Sequence, residues 1–194
     1  VTPTSPAGPG APERLLIVNA DDYALTKGVS RAILQAHQQG IVTSTSVLAV
    51  APGFKATVPW LRDTEGIGVG AHLAVVGEDP PLLTALEVPT LVDGQGRFAR
   101  SWRTFLPRMV ARQVDPDDLR LELGAQIERL RQAGLTPTHV DTHQHLHLWP
   151  GVAEVVLDLA VEHGIPGVRV TRSVGVTPVG LGVRPLSAGL ARRA

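Results

Sequence analysis

No cysteine occurs among the 194 residues, so disulfides and thiolate metal ligands are excluded, and any metal must be held by His, Asp or Glu. The same absence fits a reducing compartment, and a cytoplasmic location is expected. No apolar run reaches the ~18–20 residues that a membrane span needs. An excess of either charge is also missing, because Lys+Arg and Asp+Glu both number 18. The arginines are scattered rather than gathered into a stripe, which argues against a nucleic-acid groove, and nothing draws the chain to an anionic membrane. The opening segment, VTPTSPAGPGAPE, lacks the basic and apolar regions of a signal peptide. Its Pro, Gly and Ser content predicts a disordered tail over residues 1–13.

Hydrophobic residues make up 43% of the chain, enough for the core of one domain, expected over residues 14–194. Arg14 to Ala20 is a continuous apolar run and predicts a strand buried on both faces, as in a parallel sheet. Lys27 to Gln39 has helical spacing, with Val29, Ile33, Leu34 and Ala36 on one side and Gly40 as the stop. Ile41 to Val50, rich in β-branched residues, predicts a second strand. A short helix over Phe54 to Arg62 and a third strand over Ile67 to Val75 complete a β-α-β-α-β pattern.

The middle of the chain reads differently. Gly77 to Phe98 carries several turn signals, including Glu78-Asp79-Pro80-Pro81 and Asp93-Gly94-Gln95-Gly96. Because this stretch follows His72 directly, residues 77–107 are expected to form a lid or cleft wall. Helices follow at Trp102 to Arg112 and from Asp115, an N-cap with Pro116 at the first helical position, to Ala133. Thr138 to Leu148 reads as strand and strand end, Val152 to His163 as helix, and Gly167 to Thr171 as a short strand. No periodic element is expected beyond that. About five parallel strands result. A closed eight-stranded barrel normally takes ~250 residues. The sheet is therefore open, or the barrel irregular, or the chain stops before its end.

Three places could carry chemistry, each at the expected C-terminal end of a strand, where ligands bind in parallel α/β folds. The first is Asn19-Ala20-Asp21-Asp22-Tyr23, whose adjacent carboxylates are costly beside a buried strand unless their charge is compensated. Capping the following helix could explain them, but Thr26 can do that instead. The second is His72, which alone reads more readily as a core histidine than as a ligand. The third runs from His139 to His147 and holds four of the seven histidines within nine residues. In an extended strand His139, Asp141, His143, His145 and His147 share one face. One carboxylate and two imidazoles leave coordination positions open, as a catalytic site requires, and a spare aspartate can take a proton from water. That combination points to hydrolysis.

The segments LLIVNADDYALTKGVSRAILQAHQQGIVTSTSVL (15–48), GVGAHLAV (68–75) and PTHVDTHQHLHLWPGV (137–152) resemble, in order and spacing, the YdjC-type carbohydrate deacetylases, which include chitooligosaccharide deacetylases. The resemblance spans about Arg14 to Val170. It implies a TIM-like, irregular β/α barrel with mostly parallel strands, incomplete at its C-terminal end here. It also implies one divalent metal ion, Mg or Zn, held by Asp22, His72 and His143, with Asp21 as general base. The implied reaction removes acetyl groups from N-acetylated sugars, and homodimerisation is a family expectation. Candidate acids for the departing amine are His145 and His147, of which His145 is taken. Two departures stand out. Gln144 occupies a position where some members have another His, and members typically continue past the equivalent of Ala194 with further strands and another histidine.

Other functions remain open at this stage. A relative acting on a non-sugar or lipid-linked acyl amine, such as a hopanoid precursor, would suit an apolar lid carrying Leu82, Leu83, Leu86 and Leu91. A non-catalytic sugar- or metal-binding relative is a third reading. A non-haem iron oxygenase also uses two His and a carboxylate, but the α/β alternation speaks against it.

Overall fold

Five short strands alternate with helices in a computed structural model of the chain, which describes residues 15–171 and 186–193. The elements are β1 (Asn19–Tyr23), α1 (Lys27–Gln39), β2 (Ser44–Val47), α2 (Phe54–Arg62), β3 (Gly68–Leu73), α3 (Trp102–Val110), α4 (Pro116–Gln132), β4 (His139–Thr142), a 3₁₀ turn (His143–Leu148), α5 (Pro150–Glu162) and β5 (Gly167–Val168). All strand pairings are parallel, in the order β1-β2-β3-β4-β5. Neighbours in sequence are thus neighbours in space, the winding expected of β/α units. The expected tail over 1–13 lies outside the described residues.

The helix starts follow their caps. Thr26 Oγ1 accepts from the N–H of Val29 at 3.1 Å, so Thr26 caps α1 and leaves Asp21 and Asp22 free of that task. Asp115 caps α4, with Pro116 in its first turn, as its sequence predicts.

Four expectations need correction. The first strand is Asn19–Tyr23 rather than Arg14 to Ala20, and Leu15, Leu16 and Ile17 are 81%, 79% and 74% exposed. An apolar run is buried on both faces only where layers cover it, and β1 is an edge strand whose pairing with β2 begins at Asn19. The second strand shrinks to Ser44–Val47. The strand expected through Leu148 ends at Thr142, because Thr142 Oγ1 accepts the backbone N–H of His147 at 2.8 Å and winds the segment into a turn. Residues 186–191, expected to be aperiodic, are helical and bring Leu190 against Leu148 and Ala153.

Strand alternation sorts the sheet into two faces. Val47, Ala71 and Val140, aligned across three strands, join Leu123, Ile127 and Val156 in the core. The other face is polar: Asn19 pairs with Ser44, Ser46 aligns with Gly70 and His139, and His72 with Asp141. Gly70 has to lack a side chain, since a Cβ there would collide with the His139 ring. His139 Nε2 lies 3.2 Å from Asn19 Oδ1, although β4 and β1 are three strands apart, about 14 Å in a flat sheet. The sheet is therefore strongly curled, with the polar layer inside.

The stretch after β3 is pinned to α4. Glu122 accepts the backbone N–H groups of Leu82 and Leu83, each at 3.0 Å, and Asp118 accepts from Thr90 N–H and Oγ1 at 2.8 and 2.6 Å. Gln126 exchanges hydrogen bonds with both backbone groups of Ala74, two residues past His72. Val88, Leu91 and Phe98 sink into the core, and α3 begins at Trp102, inside the expected 77–107 span.

Candidate metal centre

The turn at the end of β1 decides where its two aspartates point. Pairing with β2 slips between Ala20 and Tyr23, and Asp22 and Ala24 adopt left-handed φ values of 63° and 78°. Non-glycine residues rarely sit there, and such strain concentrates at functional sites. Its consequence is geometric: Asp21 and Asp22, which regular alternation would send to opposite faces, both reach His72.

Asp22, His72 and His143 come together as the resemblance implies, each offering one ligand atom within 4.8 Å of the others. Asp22 Oδ1 lies 3.3 Å from His72 Nε2 and 3.2 Å from His143 Nδ1, and the two rings meet edge to face with centroids 5.5 Å apart. That oxygen is buried yet has no hydrogen bond of acceptable geometry. A buried acceptor left unsatisfied between two imidazole nitrogens is a poor structural arrangement. It is a fitting donor set for a divalent cation.

Behind these groups stands Asp141, which is fully buried. His72 Nδ1–H donates to its Oδ1 at 2.6 Å, which leaves Nε2 facing Asp22. Burial alone would lower the His72 pKa, but the hydrogen bond to Asp141 and the nearby Asp22 carboxylate outweigh it and raise the value to about 9. The imidazoles of His143 and His72 beside it hold Asp22 well below the usual carboxylate range. The cluster thus favours positive charge at the point where a cation would sit.

Asp21 belongs to the same cluster but faces another partner. Arg169, just beyond β5, grips both its carboxylate oxygens, Oδ2 at 2.8 Å and Oδ1 at 2.6 Å, and Asn19 Nδ2 donates to Oδ1 at 2.7 Å. Burial favours the neutral acid, yet Arg169 more than offsets it and Asp21 is held below its ordinary pKa. Arg169 also reaches Asp141 Oδ2 at 2.6 Å.

The remaining histidines do not line up as an extended strand would place them. His147 turns inward, fully buried, with Nδ1 2.8 Å from Thr142 Oγ1, and burial pushes its pKa down to about 4. His145 is exposed, at a left-handed φ of 56°, with its ring centroid 6.1 Å from that of His147. Gln144 supplies no ligand either; its Oε1 accepts the backbone N–H of Trp102 at 2.9 Å and ties α3 to the turn. Sequence reasoning assigned no task to Asp141 or Arg169. Asp141 sat within the histidine run, on the face alternation assigns to ligands, and Arg169 was a charged residue inside the last expected strand.

In sequence and fold the chain is similar to known proteins. The model of a family described as YdjC-like protein matches residues 15–192. A carbohydrate deacetylase of Brevibacillus brevis is 38% identical over 151 residues, 78% of this chain and 57% of that protein. One from Geobacillus stearothermophilus is 39% identical over 153 residues, 79% of this chain and 58% of that one. A Clostridium beijerinckii counterpart is 35% identical over 160 residues, 82% and 61% of the two chains. The chain therefore spans about three fifths of the length of the curated relatives it matches. Among solved structures, a protein of Enterococcus faecalis V583, described as a candidate cellobiose-phosphate cleavage protein, superposes with a TM-score of 0.72 at 28% identity, covering 90% of this chain and 64% of that one.

Proposed function

Since this chain belongs to the YdjC-like protein family, we propose that it takes part in metal-dependent hydrolysis of the acetamide of N-acetylated sugars, of the N-acetylglucosamine or chitooligosaccharide type. One observation carries the reading: His72 Nε2 and His143 Nδ1 converge on the buried, unsatisfied Asp22 Oδ1, beside a second carboxylate, Asp21, that lies outside this set of three. Asp22, His72 and His143 would hold one divalent ion, zinc or magnesium, with the imidazoles favouring zinc. Such an ion polarises an amide carbonyl and makes water more acidic.

The protein's own groups do the rest. Asp141 fixes the His72 tautomer so that Nε2 faces inward. Asp21 accepts a proton from the attacking water. His145, exposed on the turn after β4, is assigned to protonate the departing nitrogen. Water adds to the acetyl carbon, the C–N bond breaks, and acetate and a free amino sugar leave. The polar layer of Asn19, Ser44, Ser46 and His139 beneath the site suits a hydroxyl-rich substrate.

The lipid-linked alternative loses its support. Leu82 and Leu83 pack on the core and Leu91 is fully buried, so only Leu86, 94% exposed, remains of the four leucines behind that reading. Residues 77–98, clamped by Glu122 and Asp118, act as a fixed cleft wall rather than a moving lid. The test is acetate release from di-N-acetylchitobiose by zinc- or magnesium-loaded protein. Release abolished by Asp21→Asn and by His143→Ala supports the reading, and no release from folded, metal-loaded protein refutes it.

A further inference from the structure

We propose that Arg169 is a positioning residue that locks Asp21 in place and supplies a fixed positive charge between Asp21 and Asp141, the place a second cation would otherwise take. The catalytic arm of this inference rests on the deacetylase reading; its metal arm does not.

The geometry has three parts. Arg169 binds Asp21 in a two-pronged fork, Nη1 to Oδ2 at 2.8 Å and Nη2 to Oδ1 at 2.6 Å. Two parallel bonds from a planar guanidinium fix both the position and the plane of a carboxylate, which one ammonium cannot do. Next, Nη2 also lies 2.6 Å from Asp141 Oδ2, while Asp141 Oδ1 takes the His72 N–H at 2.6 Å. An unbroken path of contacts thus runs from Asp21 through Arg169, Asp141 and His72 to Asp22. Lastly, Asp21, His72 and Asp141 by themselves form a second set of ligand atoms within 4.8 Å of one another. The guanidinium already bridges two of its three members. Ser46 completes the packing, donating to Asp141 Oδ2 at 3.0 Å.

This arrangement predicts effects of opposite sign. Without the guanidinium, Asp21 and Asp141 lose the one full charge that bridges them and keep His72, Asn19 and Ser46, so their combined field attracts a cation more strongly. At the same time Asp21 loses its fixed plane, and a misplaced proton acceptor slows the reaction. A residue that merely supports the scaffold would weaken both properties together.

The experiment compares wild type with Arg169→Met and Arg169→Lys, using zinc alone in competition with a chromophoric chelator, kinetics on di-N-acetylchitobiose, and a thermal melt. Arg169→Met is expected to bind zinc about tenfold more tightly. Its kcat should fall about 100-fold with KM changed less than about threefold. Arg169→Lys keeps the charge but not the fork, so zinc affinity should stay near wild type while kcat remains at least about tenfold down. Zinc affinity falling together with kcat and melting temperature in both variants would overturn the proposal. So would kcat staying near wild type in both. Should wild type itself release no acetate, the deacetylase reading fails and the zinc arm alone decides: tightening in Arg169→Met supports the fixed-charge role, and unchanged or weaker binding overturns it.

Discussion

Two clusters of buried acidic and amide groups lie on either side of β3, and they solve the same electrostatic problem in opposite ways. On α4, Asp118, Glu122 and Gln126 follow at intervals of four residues and are buried, Glu122 completely. Their acceptors are met by backbone N–H groups of the 77–98 stretch and of Ala74, and by each other. Among the described residues no cation lies within ion-pair distance of Glu122. At the strand ends, Asp21, Asp22 and Asp141 are met by imidazoles and a guanidinium, and Asp22 Oδ1 has no hydrogen bond. A carboxylate satisfied by main-chain amides is a fastener: those donors neither leave nor titrate. One satisfied by titratable side chains, with an acceptor to spare, is ready to take a cation.

Four substitutions would break or sharpen that contrast. Asp21→Asn keeps size and removes the base, so acetate release should fall about 1000-fold while chelator competition shows zinc still bound. An activity loss matched by loss of zinc would instead make Asp21 a ligand. Glu122→Ala removes the acceptor of the part-buried backbone N–H groups of Leu82 and Leu83 and of one Nε2–H of Gln126, and should cost about 3 kcal/mol in urea unfolding, with zinc affinity little changed. If zinc affinity collapses too, the two clusters are one unit. Asp141→Asn weakens the hold on His72 Nδ1–H and should raise the zinc Kd about 30-fold, read by the same competition. The smallest effect belongs to Thr26→Ala, about 1 kcal/mol of stability through the lost α1 cap. An unchanged zinc affinity there would confirm that the neighbouring aspartates play no part in capping.

Much of the site could be read before any coordinates. NADD after an apolar run, a His at a strand end and four clustered histidines marked three candidate places, and the family resemblance picked out of them Asp22, His72 and His143, which the fold brings together. Helix starts at Lys27 and Pro116 were legible from local capping chemistry. What failed depended on long-range partners. The Leu15–Ile17 run looked buried because hydrophobicity says nothing about whether a layer covers it. The His143–His147 segment looked extended because period-two patterning cannot foresee the hydrogen bond from Thr142 that coils it. The α4 stripe of Asp118, Glu122 and Gln126 resembles any solvated helix face until the preceding loop folds over it.

Composition and local pattern by themselves determined that a metal here would need His and Asp ligands, that the chain alternates strand and helix, and which strand ends carry the chemistry. Those properties follow from side-chain identity and from periodicities of a few residues. Tertiary structure alone decided that both aspartates of one strand end face one cleft, that Asp141 backs His72, and that Arg169 reaches back to Asp21 across 148 positions of chain. The first two follow from a register slip at the end of β1 and from the pairing of β3 with β4. The last requires the sheet to curl until its first and last strands are within a side chain's reach, and no local stretch of residues encodes that distance.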